Sequence, residues 1–208
     1  MARENDTKTR IIRAAEEIFA TQGINGAQLR EINRAAGQSN NSALHYHFGS
    51  REGLLSAVLL DHAVDLDRDR RAVIESWGQR DPTLRDVLVA LALPLANKLA
   101  TSSGRLFLRV LLQVREKSGL RDLPTVGEQT SSDVQALYKT LGEHLADLPV
   151  DVRADRMSNW VDMMLGSLAS RAEALEAEAP SRLSHDDYLT NLIDMGEAAL
   201  AAPSRIRC

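Results

Sequence analysis

Residues 37–55 read Gly37-Gln-Ser-Asn-Asn-Ser-Ala-Leu-His-Tyr-His-Phe-Gly-Ser-Arg-Glu-Gly-Leu-Leu55. Gly37 ends a segment, from about Gln28 to Ala36, in which Leu29, Ile32 and Ala36 recur at helical spacing and face inward. Ser39 or Asn40 then caps a second short helix whose buried side is Ala43, Leu44 and Phe48. Gly49-Ser50 breaks the chain again, and Ser50 caps a long helix. Two helices of about two turns, joined at a glycine and the second rich in amide and hydroxyl side chains, have the helix-turn-helix layout.

Working outward, helical spacing continues on both sides. Upstream, Asp6 or Thr7 is a good N-cap for a helix that places Ile11, Ala15, Ile18 and Phe19 on one stripe and stops at Gly23. Downstream, Leu54, Leu55, Val58, Leu59, Leu66, Val73 and Trp77 continue the pattern as far as Gly78. Further helices are expected over 82–100, with a bend at Pro94, over 104–117 and over 131–145, with a loop at 119–127. Two long ones close the chain, at about 152–178 and 186–202. No stretch alternates apolar and polar residues over a strand's length, so the fold class is all-α.

The last two helices are apolar over a broad arc. In the first, Met157, Trp160 and Met164 lie beside Val161, Leu165, Leu168, Ala172 and Leu175. In the second, Leu189, Ile193, Gly196 and Leu200 lie beside Tyr188, Leu192, Met195 and Ala199. Such an arc covers more than one neighbour. Either a second subunit supplies one of them, in a four-helix bundle across a two-fold axis, or both stripes face the subunit's own core.

Charge and composition narrow the choice of function. The net charge of −4 argues against a protein that coats nucleic acid over its whole surface. Residues 1–55 nevertheless carry seven Lys/Arg against six Asp/Glu, a net +1, and the remainder carries −5. A weakly basic N-terminal module therefore joins an acidic body. The longest apolar run, Val87 to Ala96, is short and holds Pro94, so no bilayer span is expected. The charged start, MARENDTKTR, argues against a secretion signal, and a cytoplasmic protein is expected. The single cysteine, Cys208, allows neither an intrachain disulfide nor a cysteine-rich metal site.

The short helix at 39–48 presents groups suited to a DNA duplex. Asn40, Asn41, Ser42 and His45 carry side chains able to bond base edges in the major groove, and Arg30 has the reach of a guanine edge. Gln28, Tyr46, His47 and Arg51 are the candidates for phosphates, whose contacts provide affinity and register. Arg51, in the first turn after Ser50, would meet a phosphate together with backbone N–H groups. Taken singly each residue reads equally well as ordinary surface or core; the constellation is what points to DNA.

The run quoted above resembles the signature of the TetR family of bacterial regulators: turn glycine, recognition helix, an aromatic-rich Tyr-Tyr-His-Phe-like run, then Ser-Lys-Glu-x-Leu-Leu. Ile18-Phe19-Ala-Thr-Gln-Gly23, Leu29-Arg-Glu-Ile32 and Ala35-Ala36-Gly37 fit it as well. This chain departs in having one extra residue in Asn-Asn-Ser-Ala, His45 in place of a tyrosine and Arg51 in place of a lysine. The resemblance implies a three-helix DNA-binding domain over 1–50 and a helical effector-binding and dimerisation domain over 51–208. It also implies a homodimeric repressor, paired through the last two helices on a palindromic operator, and released by a small, largely apolar effector. No cofactor is implied. Phe107, Leu111, Tyr138, Trp160 and Met164 are candidates to line the effector cavity, with plain core packing as the other reading.

Two other classes stand beside this one. A metal-dependent enzyme would draw on Asp61, His62 and Asp65, on His144 with Asp147, or on His185-Asp186-Asp187, which otherwise read as solvated helix surface or caps. None of these groups has a metal-site spacing, and no nucleophile motif or phosphate loop is found. An all-helical protein-binding adaptor would account for the body but not for the polar helix at 39–48.

Overall fold

The computed structural model describes residues 2–38, 42–117 and 131–206, and everything ordered in it is helical. In chain order the elements are α1 (Ala2–Gln22), α2 (Leu29–Ala35), α3 (Ser42–Phe48), α4 (Arg51–Glu75), α5 (Leu84–Asn97), a single 3₁₀ turn (Lys98–Ala100), α6 (Ser102–Lys117), α7 (Ser132–His144), α8 (Val150–Glu176) and α9 (His185–Ala201). The loop expected at 119–127 and Cys208 lie outside the described residues.

Two apolar cores form. In the first, Ile11, Ala15, Ile18 and Phe19 of α1 meet Ile32, Leu44 and the start of α4 at Leu54 and Val58. Val110 of α6 completes it. The second core takes up α5 through α9, with Leu66, Val73 and Ile74 from the far half of α4 and Trp77 just past its end packed against it. At 25 residues α4 is about 37 Å long and so reaches through both cores, with Leu59 touching each.

Several boundaries differ from the sequence expectation. α1 begins at Ala2, ahead of Asp6 and Thr7, because nothing over 2–7 interrupts a helix and Asp6 pairs with Arg10 one turn on. α5 starts at Leu84 behind a capping box in which Thr83 and Asp86 bond each other's backbone N–H, and it stops at Asn97. Both stripes of α8 are satisfied within the chain: Met157, Trp160, Val161, Met164, Leu165, Leu168 and Ala172 are all buried. α9 buries Leu192, Ile193, Gly196 and Leu200 and leaves Met195 and Ala199 exposed. Among the described residues no helix is long and apolar enough to cross a membrane.

Candidate nucleic-acid interface and effector core

The end of α2 is closed by backbone chemistry at Gly37 and Gln38. Gly37 has φ +68°, a left-handed conformation that glycine adopts without steric penalty, and its N–H bonds the Arg34 carbonyl. Gln38 N–H then reaches back 2.9 Å to the Asn33 carbonyl. Arg10 of α1 donates to the Ala36 carbonyl, so a cation covers the C-terminal end of α2. Gly49, at φ +69°, ends α3 in the same way, and its N–H bonds the His45 carbonyl.

This scaffold leaves a polar face outward. Tyr46 is 79% exposed. Its ring meets His47 edge-on at 5.0 Å. His45 is exposed, with Nδ1 lying 3.1 Å from the Gly49 carbonyl oxygen, while His47 and Phe48 are half-buried. On α2, Gln28 accepts a 2.8 Å bond from Arg30 Nε through Oε1, which steadies both exposed side chains as one unit. Asn40 and Asn41 lie outside the described residues, and Ser42 is described only as the first residue of α3.

Arg51 has a role that its sequence position did not suggest. Its guanidinium turns back from α4 and donates to the carbonyls of Ala27 (2.9 Å) and Asn25 (3.3 Å), fastening the turn between α1 and α2. Ser50 Oγ accepts from Gly53 N–H (3.1 Å). A backbone hydrogen bond at the helix start, together with one from Ser50, holds the Glu52 carboxyl below its ordinary range. The first turn of α4 thus carries its own side-chain acceptors.

The junction between α1 and the body is a buried polar network. Glu16 of α1 is 1% exposed and receives His62 Nε2 of α4 and Ser103 Oγ of α6, each at 2.6 Å. Arg13 bridges Ser103 (2.8 Å) and Asp61 (2.7 Å) at its edge. Nearby, Gln113 of α6 accepts from Ile24 N–H and donates to the Phe19 carbonyl, both at 3.0 Å, capping the end of α1. His62 was expected on a solvated surface. It is buried because a fourfold spacing with Leu66 puts it on the inward stripe of α4, and its ring stacks on Phe107 at 4.3 Å. Sequence reasoning also passed over Glu16, Arg10 and Gln113; a charged residue within an apolar stripe, as Glu16 is beside Ala15, was the one available signal.

The five effector candidates all belong to the body core. Phe107, Trp160 and Met164 are buried, and Leu111 and Tyr138 pack half-buried against the same cluster. Of the other groups weighed for metal chemistry, His144 Nε2 lies 2.9 Å from the Pro82 carbonyl, and His185-Asp186-Asp187 forms the first turn of α9 behind the cap Ser184. Among the described residues no three His, Cys, Asp or Glu side chains stand together as a metal site would require.

Comparison with known proteins bears on both halves of the chain. Residues 11–58 match the family described as bacterial regulatory proteins, tetR family. The HTH-type transcriptional regulator SrpR of Pseudomonas putida is 40% identical over 79 residues, covering 36% of this chain and 37% of that regulator. The chain therefore matches well under half the length of that relative. Over nearly the whole chain the likeness is one of fold. A TetR-family transcriptional regulator structure from Rhodococcus sp. superposes with a TM-score of 0.56 at 19% identity, covering 94% of this chain and 99% of that one. A gamma-butyrolactone receptor described as ArpA-like superposes with a TM-score of 0.51 at 21% identity, covering 95% and 98%.

Proposed function

With a TetR-family regulatory domain over residues 11–58 and the fold of TetR-family proteins throughout, we propose that this chain is a transcriptional regulator acting in the cytoplasm, a homodimeric repressor that leaves its operator when a small molecule binds the body. The observation that carries this reading is the outward face of α2 and α3, with Tyr46 fully presented and Gln28 and Arg30 locked together beside it. Residues 1–50 read the duplex and residues 51–208 bind effector and partner. Base edges are assigned to Asn40, Asn41, Ser42, His45 and Arg30, and phosphates to Gln28, Tyr46 and His47. Arg51 serves that grip chiefly by holding the α1–α2 turn that carries Gln28.

Purified protein is expected to retard a duplex taken from its own promoter region, with the logarithm of affinity falling linearly with the logarithm of salt concentration. Tyr46→Ala and Arg30→Ala are the informative variants, since both side chains are exposed and neither loss disturbs a core. Arg30→Ala should cost about 1–3 kcal/mol on the operator and relax discrimination at one position. Retardation unchanged by both substitutions would dismiss this face as the interface.

The homodimer reading is supported by what α9 leaves uncovered. Met195, Ala198 and Ala199 of α9 are exposed, two small side chains beside one methionine that allow close approach of a second copy. Two recognition helices would then lie about 34 Å apart, one turn of the duplex, on a palindromic site. Met195→Glu combined with Ala199→Glu is expected to sediment as a monomer. A dimer that persists would count against this interface. A charge at Leu168 would be uninformative, because that side chain is wholly buried within one chain.

The effector reading rests on the cluster of Phe107, Leu111, Tyr138, Trp160 and Met164 in one core, and on Phe107 touching His62, whose partner Glu16 lies on α1. The structurally similar ArpA-like protein is described as a receptor for a small lactone. An effector releases DNA to the extent that it binds the DNA-incompetent arrangement more tightly.

A further inference from the structure

α4 and the turn just past its end lay one stripe along the body: His62, Leu66, Arg70, Val73 and Trp77, each three or four residues from the next. Two of the five are polar, and they are satisfied very differently. His62 has the carboxylate of Glu16. Arg70 is only 5% exposed, yet among the described residues its acceptor is Asp67 Oδ1, 3.0 Å from Nη1, on the preceding turn of the same helix and itself partly in solvent. Its Nε is buried with no acceptor among the described residues. Burial draws this guanidinium below its usual value, opposed by Asp67, Tyr138 and Asp133. A buried cation so incompletely paired is an expense that natural cores avoid unless the group has other work.

The groups around it are donors too. Burial pushes the Tyr138 phenol of α7 up to about 12, against the pull of Arg115 and Arg70, so at neutral pH it is an uncharged O–H donor. Arg115 of α6 is itself occupied, donating to Asp162 (2.7 Å) and to Ser158 Oγ (2.6 Å). Arg70 is thus the cation with an edge to spare. Tyr138 packs against the same core that holds Phe107, Leu111 and Met164.

We propose that the effector is an amphipathic carboxylate, its anionic end received by the Nε edge of Arg70 and the Tyr138 hydroxyl and its apolar remainder lodged among Phe107, Leu111 and Met164. This rests on the effector-responsive reading above and changes its chemistry, since a wholly apolar ligand would leave the Arg70 donor unmet. A carboxylate suits the place because its two oxygens match the parallel N–H groups along one edge of a guanidinium. Nη1 stays with Asp67.

The test uses the full chain and its own fluorescence, since Trp77 and Trp160 both pack in this core and are the only tryptophans. Octanoate, decanoate and 3-phenylpropanoate are titrated, each beside its methyl ester and below its aggregation threshold. At least one carboxylate should saturate the signal at concentrations where its ester leaves it unchanged. Arg70→Met should raise that carboxylate's apparent Kd at least about tenfold, without lowering the ligand-free melting temperature, because removing an underpaired buried charge is neutral or stabilising. Tyr138→Phe keeps the shape and should weaken binding severalfold, and it serves if Arg70→Met fails to fold. Esters equal to acids across all three pairs, or affinity unchanged in the variants, overturn the proposal. Retardation of the promoter duplex without carboxylate separates the two readings: a parent protein that does not bind DNA fails as a regulator while the fluorescence result stands.

Discussion

Replacing Glu16 with alanine is expected to lower the unfolding free energy by about 3–5 kcal/mol, the range for removing one partner of a buried ion-paired network. The carboxylate joins α1, α4 and α6 through one buried side chain, by way of His62 and Ser103. Alanine strands the buried His62 donor away from water and empties the space between two cores. Glu16→Gln keeps one acceptor oxygen, and its loss should be about half as large. The double replacement Glu16→Leu with His62→Leu should recover much of the stability, because two apolar groups of similar volume need no partners. Urea unfolding followed by circular dichroism measures all three. An alanine variant within about 1 kcal/mol of the parent would mean that water enters the junction and serves His62 directly.

The second large effect lies between α8 and α9. Trp160 is among the largest fully buried side chains, and Gly196 of α9 lies so close beneath its ring that a Cβ there would overlap it. Trp160→Ala should cost about 3–5 kcal/mol through lost burial and the cavity left behind. Gly196→Ala should cost about 1–3 kcal/mol for the opposite reason, a methyl group forced into filled space. The two penalties are not additive. With the ring gone the methyl has somewhere to go, so the double variant should be less destabilised than the two single losses combined. Strict additivity in thermal unfolding would show that helix α9 shifts away from the clash and that the close approach is not what fixes the helix pair.

Helix existence was legible along almost the whole chain, because period and punctuation are local properties. Gly23, Gly37, Gly49 and Gly78 all have positive φ and end helices, and Ser50 caps α4 as its position implied. Starts were harder. The first turn of α1 needs no cap residue to form, and Thr83 with Asp86 outranked the Asp81-Pro82 signal for α5. The double stripe on α8 was read correctly as an arc covering two neighbours, but periodicity cannot say to whom the neighbours belong. For α8 they proved to be elements of the same chain, while α9 leaves Met195 and Ala199 exposed.

The helix-turn-helix reading of Gln28 to Phe48 came from sequence alone, since the glycines that end each helix and the spacing of Leu29, Ile32 and Leu44 act within a few residues of themselves. Tertiary structure decided the charged side chains. Arg51, which by sequence alone faces outward, reaches back some two dozen residues to the carbonyls of Asn25 and Ala27. His62 and Glu16, unremarkable when read 46 residues apart, make one buried pair. Arg70 becomes an underpaired cation only because α7 closes over it. A polar side chain on an amphipathic helix can be satisfied by water, by its own turn or by a distant helix, and those outcomes leave the same local pattern. Only the packed fold, by excluding water, forces the choice.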